Sequence, residues 1–100
     1  MLLHVVLFQW KEGVSEAQVA ALDQAMAELP KAIPELKELQ YGADVRIRGG
    51  NADYGLVALF ADETGWRAYQ EHPAHKAAVA NLVQPIAAQR TAIQMRVPDR

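Results

Sequence analysis

The segment Tyr69-Gln70-Glu71-His72-Pro73-Ala74-His75 sets two imidazoles and a phenol within seven residues, around a proline that interrupts helical periodicity. Imidazole, with an unperturbed pKa of about 6.5, gives and takes protons near neutrality. A phenol hydrogen-bonds a carbonyl or the enolate made from it. An imidazole and a phenol placed so close fit a general acid/base pair, in which the imidazole removes a proton next to a carbonyl and the phenol stabilises the developing enolate oxygen. A structural alternative stands beside it: His75 would pin the kink at Pro73 by bonding freed backbone groups, and Tyr69 would pack its ring in the core.

The neighbouring polar residues extend the candidate site. His72 is expected to contact substrate or to cap a helix end. A zinc site made with His75 has little support, because two histidines three apart, no cysteine and scattered carboxylates make a poor ligand set. His4 reads either as a pocket residue or as a hydrogen-bonded core histidine. Trp66 could line a small-molecule cavity, as could Trp10 and Tyr41, although aromatic side chains at such spacings are commonly core. Gly49-Gly50-Asn51 has the chemistry of a turn and opens no phosphate-binding helix. Arg46 and Arg48 could hold an acidic group or form a solvated strand edge.

Six elements would position these residues. Leu2 to Trp10 predicts a strand, with Leu3, Val5 and Leu7 on one face and Leu2, His4, Val6, Phe8 and Trp10 on the other. Ser15 and Gln18 form a capping box for a helix carrying Val19, Leu22, Met26 and Leu29, ending at Leu29-Pro30. A second strand is expected over Leu36 to Ile47 and a third over Tyr54 to Phe60, paired antiparallel as a hairpin. Asp62 caps a short helix with Trp66 and Tyr69 on one face, and Pro73 ends or kinks it. Val79, Leu82, Val83 and Ile86 continue in a fresh helical run, whose last turn Pro85 weakens. Thr91 to Val97 predicts the fourth strand.

The order βαββαβ, with its second helix split, predicts an α+β, ferredoxin-like fold: a four-stranded antiparallel sheet with helices on one face. Such a sheet leaves its other face bare. The first strand is apolar on both sides, so a homodimer that buries sheet against sheet is expected.

Composition narrows the chemistry. One hundred residues, 51% hydrophobic and 22% charged, suit a single globular domain over residues 1–100. Ten basic and twelve acidic residues give a net charge of −2 with no clusters, so neither nucleic acid nor an anionic membrane is an expected partner. Absent cysteines exclude disulfides, thiolate nucleophiles and thiolate metal sites. The apolar start is too short for a membrane span and lacks the marks of a signal peptide, which points to the cytoplasm.

Three stretches resemble the stress-responsive dimeric α/β-barrel (Dabb) family: His4-Val5-Val6-Leu7-Phe8-Gln9-Trp10-Lys11, Gly50-Asn51-Ala52-Asp53-Tyr54 and Tyr69 to His75. The resemblance implies a ferredoxin-like subunit paired into a dimeric barrel. Family members include polyketide cyclases of the olivetolic acid cyclase type, which perform an aldol condensation without a cofactor. By that resemblance the catalytic pair falls on His75 and Tyr69, and His4 borders the pocket. The expectation is a small carbonyl or polyketide-like ligand in a cavity between sheet and helices, handled by His75 and Tyr69 with His4, Trp66 and His72 as binding residues and no metal or cofactor. The rival expectation is a non-catalytic stress-protective or assembly protein whose homodimer is the working unit.

Overall fold

The computed structural model describes residues 1–99. Its elements are β1 (Leu2–Trp10), α1 (Glu16–Ala32), β2 (Glu38–Ala43), β3 (Tyr54–Phe60), α2 (Glu63–Glu71), α3 (Pro73–Ala78), a π-helical turn Val79–Val83, and β4 (Ala87–Arg96). The four strands make one antiparallel sheet in the order β2-β3-β1-β4. This is the ferredoxin-like arrangement expected from the sequence.

Local chemistry starts each helix. The Ser15 hydroxyl accepts from the Gln18 N–H at 3.2 Å, and Gln18 Oε1 accepts from the Ser15 N–H at 2.9 Å, closing the expected capping box of α1. Asp62 caps α2 by accepting from the Gly65 N–H at 3.0 Å. Helix α1 buries Leu22, Met26 and Leu29 against the sheet, and α2 buries Tyr69. From the sheet, Leu2, His4, Val6 and Phe8 of β1 face the helices, together with Tyr54, Leu56, Ala58 and Phe60 of β3. The Tyr54 hydroxyl donates to Asp23 Oδ1 at 2.7 Å and so ties α1 to the sheet with a satisfied polar contact.

Several boundaries differ from the sequence reading, three of them with a clear physical cause. Helix α1 runs through Pro30 to Ala32 instead of stopping at Leu29, because Leu29 and Ile33 are both buried and the Ile33 N–H still reaches the Leu29 carbonyl at 2.9 Å. Burial on either side of the proline outweighs the one hydrogen bond it removes. Strand β2 stops at Ala43, well before Ile47. Arg46 takes a left-handed backbone with φ 59° and its N–H bonds Asp44 at 3.1 Å, so Val45 and Ile47 lie on an exposed loop. Strand β4 starts at Ala87, four residues ahead of Thr91, because β1 extends to Trp10 and pairs with it there. That extension carries Arg90 into register with Phe8.

The outer face of the sheet is uncovered in the single chain. Val5 lies between Val57 and Ile93 in register, and Leu7 and Ile93 are 45% and 54% exposed. An apolar strip of this kind is costly to leave in water. No helix among the described residues is long and apolar enough to cross a membrane.

Candidate active site

Sheet and helices separate enough to leave a cavity of about 440 Å³, a size suited to a small organic ligand. His4, Val6 and Phe8 form its floor. Tyr69 comes from α2, His75 from α3, and Val79 and Val83 from the π-helical turn, with Met26, Leu56, Gln70, Gln84, Ala87 and Arg90 completing the wall. The wider turn is marked by the bond from the Gln84 N–H to the Val79 carbonyl at 2.9 Å, five residues apart, and such turns recur at functional sites. A second hollow, about 380 Å³ between α1 and α3, is lined mainly by alanines and leucines and holds no imidazole or phenol. The imidazoles and the phenol line the first.

The break at Pro73 brings the candidate pair together. With α2 ended at Glu71 and α3 restarted at Pro73, the Tyr69 and His75 rings stand 4.2 Å apart between centroids. His4 completes the group, its centroid 6.2 Å from that of Tyr69.

The environment sets their protonation. Burial lowers the pKa of His75 and so favours the neutral base; Arg90 and His72 push the same way, while a backbone interaction with Gln70 opposes them. His75 Nδ1 itself is buried without a hydrogen-bond partner among the described residues. Burial raises the Tyr69 phenol to about 12, against a smaller lowering by Arg90, so Tyr69 keeps its proton near neutrality. Burial chiefly, with Arg90 and His75, lowers His4 to about 4. The Gln94 amide donates to His4 Nδ1 at 2.9 Å, which leaves the ring proton on Nε2. A neutral base, a protonated donor and a neutral second imidazole thus share one apolar cavity.

Two other expected binding residues stand outside the cavity wall. His72 caps α3: its Nδ1 accepts from the Ala74 N–H at 3.1 Å and its backbone ends α2. That duty is the one the structural alternative gave to His75. Trp66 packs against the core, with its ring centroid 6.0 Å from that of His4 and its Nε1 buried without a partner among the described residues, beside a depression formed with Leu2, Glu63, Gln94 and Arg96. Among the described residues, no group of three or more histidines, cysteines or carboxylates could hold a metal ion.

The sequence reading missed Arg90, Gln84 and Gln94. For Arg90 the signal was register: with β1 ending at Trp10, a partner strand of equal length puts position 90 opposite Phe8. Gln94 was placed in a strand, but pairing it with His4 requires the β1–β4 alignment. Gln84 sits at the end of the π-helical turn, which has no sequence signature that would separate it from an α-helix.

Comparisons with known proteins agree with this architecture. A dimeric ferredoxin-like protein of unknown function from Thermobifida fusca is 43% identical, with 96% of this chain and 90% of that one covered and a TM-score of 0.89. An Arabidopsis thaliana protein has the same fold at 22% identity, over 100% and 98% of the two chains, with a TM-score of 0.84. So does a hydroxynitrile lyase from Passiflora edulis, at 16% identity over 99% and 94%, with a TM-score of 0.83. No curated protein matches the sequence significantly. The sequence model of the stress responsive A/B barrel domain matches residues 2–97, and the chain belongs to that family, Dabb.

Proposed function

We propose that the cavity binds a small carbonyl compound with an apolar body, and that His75 and Tyr69 carry out proton transfer on it without a cofactor. One observation carries the reading: the two rings lie 4.2 Å apart in a cavity wall, and His75 Nδ1 has no hydrogen-bond partner among the described residues. A buried nitrogen left unpaired costs free energy unless a ligand or water satisfies it. His72 caps the helix break, so His75 is not needed for that task.

In the proposed step the neutral His75 imidazole takes a proton from the carbon next to the carbonyl. The electron pair moves onto the carbonyl oxygen, where the Tyr69 O–H donates a hydrogen bond to the enolate. The enolate can then attack a second carbonyl, and the His75 imidazolium returns its proton to the new alkoxide, as in a cyclase; in the reverse direction His75 takes the hydroxyl proton of a β-hydroxy carbonyl and the carbon–carbon bond breaks to give the enolate, as in a lyase. The existence of a hydroxynitrile lyase with this fold is compatible with lyase-like chemistry. His4, held neutral beneath the pair, provides a further hydrogen-bonding group on the cavity floor.

The experiment follows the proton. para-Butylacetophenone is incubated in heavy water with the protein, and deuterium entry into its methyl group is read by NMR. The wild-type protein is expected to speed exchange above buffer, and His75→Ala and Tyr69→Phe each to remove about a hundredfold of that acceleration. Exchange no faster than in buffer, or unchanged in both variants, contradicts the assignment.

We also propose that the working unit is a homodimer joined through the open sheet face. The uncovered strip around Val5, Leu7 and Ile93 supports it, as does the description of the 43% identical Thermobifida fusca protein as dimeric. The cavity lies on the opposite, helix-covered side of the sheet, so each subunit would keep its own site.

A further inference from the structure

We propose that the ligand of this cavity carries an anionic group, a carboxylate or an equivalent acid, which docks on the Arg90 guanidinium while its apolar body fills the space between sheet and helices. The inference rests on the reading that the cavity takes a small carbonyl compound, and adds the charge that compound must bear.

Arg90 is a cation without a counter-ion among the described residues. Arg46, Arg67 and Arg96 each have a carboxylate within 4 Å, whereas Arg90 makes no ion pair among the described residues. The cavity lining contains no aspartate or glutamate. With His4 and His75 held neutral, Arg90 supplies the one formal charge of the wall. Its field reaches inward, because it acts on His4, Tyr69 and His75 together. A cation at the mouth of a low-dielectric, apolar hollow attracts anions and holds them more firmly than a solvated surface arginine does. Guanidinium also presents paired donors that match a carboxylate.

Position gives the cation a use. Arg90 stands opposite Phe8 in the β1–β4 register, on the edge strand, where it is accessible from solvent. Gln84 and Gln70, also in the wall, add neutral donors and acceptors. Val6, Leu56 and Val83 are buried and offer only apolar contact. The lining therefore favours an amphipathic acid bound charge outward and tail inward. The same docking neutralises Arg90, and so relieves the pressure it places on the nearby imidazoles as substrate arrives.

A matched pair of probes tests this. Binding of para-butylbenzoate and para-butylbenzamide is measured by titration calorimetry on the wild-type protein, Arg90→Gln and Arg90→Lys. The benzoate is expected to bind at least about tenfold more tightly than the benzamide, as a charge-assisted hydrogen bond provides. Arg90→Gln should bring the benzoate down to the level of the benzamide and leave the benzamide unchanged, while Arg90→Lys retains an intermediate preference. Folding of Arg90→Gln is checked by its thermal midpoint, which should not move, since the side chain is exposed and makes no ion pair among the described residues. Equal binding of the two probes, or benzoate binding indifferent to Arg90→Gln, overturns the anion and leaves the cavity reading standing. Failure of both probes to bind the wild-type protein overturns the two together.

Discussion

Burial keeps His4 neutral, and the cost of doing so depends on pH. Its pKa falls from 6.5 in the unfolded chain to about 4 in the fold. Between these values the unfolded chain holds a proton that the native state lacks, so acidification favours unfolding. The sign is definite: His4 contributes no loss above 6.5, a growing loss as pH falls, and a constant one below about 4. At its full extent the loss approaches about 3 kcal/mol. His75, shifted in the same direction, adds to it. Urea unfolding followed stepwise from neutral to acid pH should show this decline, and His4→Phe should remove most of it. A stability flat through the window contradicts neutral burial of His4. Two variants separate roles within the His-Pro-Ala-His stretch: His75→Ala should fold normally and lose exchange activity, whereas His72→Ala should lose stability.

That second effect belongs to the helix break. Helices α2 and α3 meet at Pro73, and the only side-chain cap on α3 is His72 Nδ1 accepting from Ala74. Removing it in His72→Ala is expected to cost about 1 kcal/mol, and His72→Asn, a good capping residue, should recover most of that in thermal unfolding. A neutral His72→Ala would mean the break holds itself. Legibility in the sequence followed the same logic. Ser15, Gln18, Asp62 and Pro73 act locally, so the helix starts and the break could be read directly, while the pairing of Tyr69 with His75 came from the family resemblance. Strand β4 was harder. Ala87, Ala88, Gln89 and Arg90 have no β-branched residue, and only pairing with the full length of β1 makes them a strand. Arg90 was invisible for that reason. Pro30 misled in the opposite direction, since the burial of Leu29 and Ile33 on both sides cannot be seen from a single proline.

The assembled molecule has one face committed and one open. Helices cover the side that holds the cavity, and the other shows Leu7, Ile93 and Met95 to solvent. Alternation along the first strand had already indicated two apolar faces, but its partners Val57 and Ile93 became evident only through register. Ile93→Lys should place a charge within the proposed subunit contact and shift the protein from dimer to monomer, weakening association by at least about a hundredfold while leaving the subunit folded. Sedimentation equilibrium checks it, and a wild-type protein that is monomeric throughout contradicts the dimer. The central claim, a neutral His75 facing a ligand cavity, is tested most directly by imidazole nitrogen NMR across pH, with and without para-butylacetophenone. The account predicts that His75 titrates below 6.5 and that the ketone perturbs the ring nitrogens of His75 and His4 but not those of His72. A His75 that titrates at or above 6.5, with ring nitrogens the ketone leaves unmoved, would contradict it.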